Sequence, residues 1–297
     1  MTMNQYTNPI IYGEVLFDCF PDGNQVLGGA PFNVAWHCQA FGLSPLLISR
    51  IGDDKLGKQI LQAMQDWGMN RTAVQLDNKH ATGVVDIQFN HGEPSYTIVE
   101  NSAWDFIEYK AIPKLQPSGF LYHGSLALRN KDSLNTLNQI KSNTEHHLLI
   151  DINLRKPWWN INTIQQLIMN SNIIKLNEHE LSQIIPGIDT TPSQMEYLMQ
   201  KYSINTLIVT RGEQGTLVKI ADNPLLSKKP DTQTNVIDTV GAGDALSSVF
   251  LLGQYKNWDI ETTLERAQAF ASAIVGIQGA TTNDRSFYES FINAWGL

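Results

Sequence analysis

Asp238-Thr239-Val240-Gly241-Ala242-Gly243-Asp244, running into Ala245-Leu246-Ser247-Ser248-Val249-Phe250, is a two-glycine turn that opens an apolar helix. Glycine permits unusual φ and close backbone approach. The first amides of a helix have no partner within it, and the helix dipole adds positive potential at the same end. The turn is therefore an anion hole of the kind that suits a phosphoryl group. Asp244 stands at its mouth, where a carboxylate either caps the helix or orients a hydroxyl for attack.

A second glycine turn lies near the other end of the chain. Gly28-Gly29-Ala30-Pro31-Phe32-Asn33 leads into Val34-Ala35-Trp36-His37-Cys38-Gln39-Ala40-Phe41, which stops at Gly42. Pro31 suits a first helical turn and Gly42 a C-terminal cap. The paired glycines let a ligand lie against the backbone, and Asn33 brings an amide that both donates and accepts. The plain alternative is an ordinary loop–helix junction.

Between these turns, short apolar runs alternate with helix-period segments. Strands are expected at 10–18, 46–51, 120–123, 147–152, 173–176, 206–210 and 216–220. Helices are expected at 31–41, 55–67, 133–142, 191–202, 245–252, 262–277 and 285–294. Such alternation predicts an α/β fold with a mostly parallel central sheet covered on both faces. Ligands then bind beyond the carboxyl ends of the strands. The stretch 84–99 instead alternates around an Asn90-His91-Gly92-Glu93 turn, which reads as a β-hairpin. Residues 14–28 are also extended, around Pro21-Asp22-Gly23-Asn24. These two excursions are either a small lid or surface ornament.

Taken together, these segments resemble the ribokinase-like carbohydrate kinase family, on its fructokinase side. Gly28-Gly29 with Asn33 is similar to the family's N-terminal signature, and Asp238-Thr239-x-Gly241-Ala242-Gly243-Asp244 to its C-terminal one. Further matches fall in family order: Gly13 to Asp18, Arg50-Ile51-Gly52-Asp53-Asp54-x-x-Gly57, Asn177-x-x-Glu180, and Val209-Thr210-x-Gly212-x-x-Gly215. The resemblance covers essentially the whole chain. It implies one domain over 1–297, a three-layer sandwich with a mostly parallel sheet, and a β lid from about 14–28 and 84–99 that excludes water. In several relatives the lid also forms a dimer contact, so a homodimer is expected.

The resemblance also implies roles. Asp244 would accept the proton of a sugar hydroxymethyl as it attacks the γ-phosphate of ATP, with Gly241, Ala242 and Gly243 supplying amides to the developing charge. Asp18, Gly29 and Asn33 would hold the sugar. Asn177, Thr210, Gly212 and Gly215 would line the nucleotide. Asn177 and Glu180 would hold Mg²⁺ through water, and Asp238 and Thr239 would lie near a monovalent cation such as K⁺. Asp151-Ile152-Asn153-Leu154-Arg155 is similar to a segment of fructokinases and ketodeoxygluconate kinases. Arg155 either clamps a phosphate or a substrate carboxylate, or forms a surface ion pair with Asp151. Trp104, after the hairpin, either touches the sugar or packs. His123 and Ser125 stand where the ribokinase branch carries an acid, which weakens a ribose reading.

Composition sets limits on the alternatives. The 297 residues carry 29 acids against 21 bases, a net charge of -8, with no basic stripe to suit nucleic acid. No apolar run is long enough to span a membrane. The opening MTMNQYTNPI has neither a basic cluster nor an apolar core, so a cytoplasmic protein is expected. Cys19 and Cys38 belong to no metal or redox pattern and read as small hydrophobes. No P-loop is present, and Gly28-Gly29 lacks the Gly-x-Gly-x-x-Gly spacing of a dinucleotide-binding oxidoreductase. The leading expectation is phosphorylation of fructose or a similar ketose. The alternatives are a sugar-acid kinase and a non-catalytic sugar sensor.

Overall fold

The computed structural model describes residues 8–90, 93–169, 171–230 and 235–297. His91-Gly92, the middle of the expected hairpin turn, lies outside the described residues.

The chain opens with β1 (Ile10–Tyr12), bends at Gly13, and continues as β2 (Leu16–Cys19) and β3 (Gln25–Gly28). The expected single strand at 10–18 is thus two strands in two different sheets. The break has a steric cause: Gly13 sits at φ +150, and a Cβ there would lie 2.4 Å from Pro31 Cγ. Then come α1 (Ala30–Ala40), β4 (Leu46–Gly52), α2 (Lys55–Trp67), β5 (Val74–Asp77), β6 (Gly83–Asn90) and β7 (Glu93–Ile98). The ends of α2 are written in the sequence. Asp54 accepts from Gly57 N at 2.8 Å, and Gly68 closes the helix in the left-handed region.

The middle of the chain supplies β8 (Ser118–His123), α3 (Lys131–Asn143), β9 (Glu145–Asp151), α4 (Ile161–Ile168), β10 (Ile173–Asn177), α5 (Glu178–Ile184), α6 (Thr191–Tyr202) and β11 (Thr206–Thr210). The last part holds β12 (Thr216–Ile220), β13 (Leu226–Lys228), α7 (Ala242–Lys256), α8 (Ile260–Val275) and α9 (Arg285–Trp295).

A nine-stranded sheet has the order β13-β12-β11-β10-β9-β8-β1-β4-β5. It is parallel from β11 to β5, and β12 and β13 add an antiparallel edge. Side chains alternate between its faces, which splits the core in two. Ile11, Leu47, Tyr122, Leu149 and Ile208 face α1, α2, α7, α8 and α9. Tyr12, Ile48, Leu121, Ile150 and Leu207 face α3, α4, α5 and α6. The molecule is accordingly a three-layer α/β sandwich.

Strand order reverses between β8 and β1, so the crevice above their carboxyl ends is the expected ligand position. A second sheet, ordered β3-β2-β6-β7, rises from that point. Cys38 is buried, Cys19 partly so, and both are free thiols. Among the described residues no helix is long and apolar enough to cross a membrane.

Candidate active site

The motifs collect at the carboxyl ends of the parallel strands because each follows one: Glu14 after β1, Arg155 after β9, Asn177 at the end of β10, Thr210 at the end of β11. The Gly241 turn joins them from the helical layer. Gly241 has φ +80, and a Cβ there would stand 2.4 Å from the Ala280 Cβ. Only glycine fits both the conformation and the space. The turn is pinned from two sides. Asp238 accepts from Val240 N and Gly279 N, each at 3.0 Å. The buried His37 ring reaches Ala280 O at 3.1 Å and Tyr288 OH at 3.0 Å. The carbonyl requires a proton on Nε2, so Nδ1 accepts from Tyr288, and burial keeps the ring neutral by pulling it down to about 3.

The ladder of α7 starts with Ala245 N donating to Gly241 O at 2.8 Å. Ala242 N reaches back to Thr239 O at 3.4 Å, and the amides of Gly243 and Asp244 precede the ladder at the positive end of a 15-residue helix. Beside them Asn33 Nδ2 donates to Asp244 Oδ2 at 2.8 Å. This bond joins the two glycine turns of the sequence across 211 residues. Asn33 is buried and its Oδ1 has no protein partner, which leaves an acceptor for a ligand hydroxyl. Gly29, at φ +107, passes so close to the Glu14 carbonyl that a Cβ would lie 2.8 Å from it.

The site is acidic and only partly neutralised. Burial pushes the Asp244 carboxyl up, Lys175 pulls it down, Asp151 pushes it up again, and Asn33 and Arg155 pull it down, for a net rise to about 6. Asp18, on β2 of the small sheet, is pushed to about 6 by burial against the opposing pull of Arg155. Glu14 was not singled out from sequence. It is 2% exposed, and its Oε2 lacks a partner. Burial raises it to about 7, with Asp244 adding to the rise and Arg155 and the Ala127 amide opposing it. Its position right after a glycine at a strand end was the available signal.

Arg155 is exposed and within electrostatic reach of Glu14, Asp18 and Asp244. The alternative pairing with Asp151 does not form. Asp151 binds Lys175 Nζ at 2.8 Å instead.

The proposed metal holders Asn177 and Glu180 form a capping box at the start of α5. Asn177 Oδ1 accepts from Glu180 N and Glu180 Oε2 from Asn177 N, both at 2.8 Å, and Glu180 Oε1 accepts from Leu154 N at 2.7 Å. Their oxygens are engaged by amides, so direct ligation of Mg²⁺ does not fit, whereas contact with a hydrated ion does. Among the described residues no group of three or more His, Cys, Asp or Glu side chains forms a metal cluster.

Thr210 is the register partner of Asn177. Gly212 and Gly215 follow it, and Gly215 packs so tightly that a Cβ would strike the Lys228 backbone. Trp104 is fully buried, with the Arg129 guanidinium 4.1 Å from its ring centre. It therefore packs at the root of the small sheet, one of its two expected roles.

A family model described as pfkB family carbohydrate kinase matches residues 12–286. The chain is 30% identical to a fructokinase of Klebsiella pneumoniae over 82% of its own length and 83% of the relative's. A fructokinase of Vibrio cholerae O395, solved with fructose, ADP and potassium ion, superposes with a TM-score of 0.82 at 22% identity, covering 97% of this chain and 99% of that one. An aminoimidazole riboside kinase of Salmonella enterica gives a TM-score of 0.82 at 23% identity, over 96% and 99%. The chain belongs to the pfkB family of carbohydrate kinases, and its fold is the ribokinase-like one.

Proposed function

We propose that this protein transfers the γ-phosphoryl group of ATP to a hydroxymethyl group of a free sugar, with fructose or a related ketose as the first candidate. The observation that carries this reading is the Asn33–Asp244 bond beside the Gly243 and Asp244 amides of the first turn of α7. Asp244 takes the hydroxyl proton, the sugar oxygen forms its bond to the γ-phosphorus, and the bond from that phosphorus to the β-phosphate oxygen breaks, releasing ADP. The amides of Gly241, Ala242 and Gly243 face the charge on the moving group, and Arg155 adds a mobile cation. Asn177 and Glu180 would hold a hydrated Mg²⁺ through water, and that ion would offset phosphate charge. Thr210, Gly212 and Gly215 line the nucleotide side, and Asp238 and Thr239 would border a K⁺ ion.

Asp18, Gly29 and Asn33 hold the sugar from the β2–β3 side, which makes the small sheet a lid. Names of relatives favour fructose. The exposed, unpaired Arg155 supports a second reading, a sugar-acid substrate whose carboxylate it would clamp. A homodimer through the small sheet is part of the proposal, and light scattering checks it.

The activity test is ADP release over fructose, tagatose, ribose, ketodeoxygluconate and nucleosides, with and without K⁺. Fructose is expected to react fastest. Turnover of nucleosides alone would remove the free-sugar assignment. Turnover of ketodeoxygluconate alone, lost in Arg155→Ala, would install the second reading.

A further inference from the structure

Lys175 lies under the first turn of α7 and takes no part in the bond-making steps proposed for the transfer. It sits on β10 and is 8% exposed. Its ammonium meets Asp151 Oδ2 at 2.8 Å. That oxygen also accepts from Ser247 Oγ at 3.1 Å, on α7, and from Tyr122 OH at 3.3 Å, on β8. Four elements are thus tied at one buried carboxylate. A buried ion pair of this kind contributes little net stability, because desolvation offsets most of the attraction. Its placement is what distinguishes it. A Cβ on Gly243 would lie 2.7 Å from Lys175 Nζ. Gly243 is helical and needs no glycine for its φ, so what it provides is room. The missing side chain lets the ammonium approach the turn from below.

We propose that Lys175, held by Asp151, is a positioning residue that keeps Asp244 ionised as proton acceptor while leaving the sugar side of the site free of a fixed cation. This rests on Asp244 being the acceptor. The groups facing Asp244 are Lys175 and Asp151 from neighbouring strands, Arg155 from the loop after β9, Glu14 from the bend after β1, Tyr122 from β8 and Asn33 from α1. Of the two cations among them Arg155 is exposed and held only by a 3.4 Å bond to the Leu154 carbonyl, whereas Lys175 is locked on Asp151. The 2.8 Å contact with the Asp151 carboxylate pairs the buried ammonium in its charged form. The geometry separates two duties that one cation would perform poorly: a constant field on the base, and a movable contact to the transferred group.

The two members of the pair act on Asp244 with opposite sign, which a purely structural pair would not. The test is the pH profile of kcat/KM for the sugar that turns over best. Lys175→Met is expected to move the acid limb upward by about one pH unit or more. Asp151→Asn is expected to move it downward, because Lys175 then has Asp244 as its nearest acidic neighbour. The pair variant Lys175→Met with Asp151→Asn buries no unpaired charge and covers the case in which a single variant fails to fold. Its limb is expected to move upward by less than that of Lys175→Met. Limbs that stay in place, or that move together in the two single variants, overturn the proposal, as does a rise in KM for ATP as the sole effect of Lys175→Met. Asp244→Asn is measured alongside: if it retains turnover, the proton-acceptor reading itself falls, which is a separate result.

Discussion

At the residue scale, Asp244 carries a cost that the fold absorbs. Its carboxyl is raised from 3.8 to about 6 in the folded chain, with burial the largest cause. An acid raised in this way favours the folded state fully below its unfolded pKa. That contribution is lost as pH rises through the folded value, so the window runs from about 4 to about 6. Asp244→Asn keeps the shape and an acceptor for Asn33 but cannot ionise. It is expected to be more stable than the parent above pH 7 by about 1–3 kcal/mol, with the difference vanishing near pH 4. Urea melts at the two pH values check this. The same variant is expected to lose turnover by on the order of a hundredfold or more while still binding nucleotide, read by calorimetry. Stability gained with activity lost marks a group placed for chemistry rather than for the fold.

At the element scale, the turn before α7 depends on a loop from another part of the layer. Gly241→Ala must adopt φ near +80 and displace Ala280, so a loss of about 2 kcal/mol or more and a fall in kcat are expected. Thermal melts and kinetics on one preparation check both. Much of this architecture was legible in the sequence. The helices at 55–67 and 191–202 were expected with the bounds observed, because Asp54, Gly68 and Thr190 supply their caps. The elements missed were those without their own signal. α4 spans 8 residues and α5 only 7, while β5 and β13 have 4 and 3. Sequences that short hold too few periods to separate helix from loop. Asn177 and Glu180 illustrate another limit. Their spacing was read as chemistry, yet it also writes a capping box, and one spacing cannot tell the two apart. Lys175 and Glu14 carried no motif of their own, since buried charges become visible only when their neighbours are placed.

At the scale of the whole molecule, the small sheet is fastened to the main body in part by a knot around Arg129. Arg129 binds both Asp105 oxygens at 2.7 Å and Val99 O at 2.6 Å, just past the end of β7. Its guanidinium lies between Trp104, at 4.1 Å, and Trp158, at 4.6 Å, the latter on the loop that follows Arg155. Arg129→Met leaves the buried Asp105 unpaired and is expected to cost about 3 kcal/mol or more. Amide exchange in β6 and β7 is expected to speed up more than in β8 or β9, and a uniform change across both sheets would contradict the knot. The long reach of the Asn33–Asp244 bond has one more consequence, for synthesis. A polypeptide still growing on the ribosome possesses Asn33 early and its partner aspartate only after more than two hundred further additions. Every shorter nascent fragment lacks Asp244 and the glycine turn before α7, so on the proposed mechanism an incomplete molecule cannot transfer a phosphoryl group, a safeguard set by the order in which the message is read.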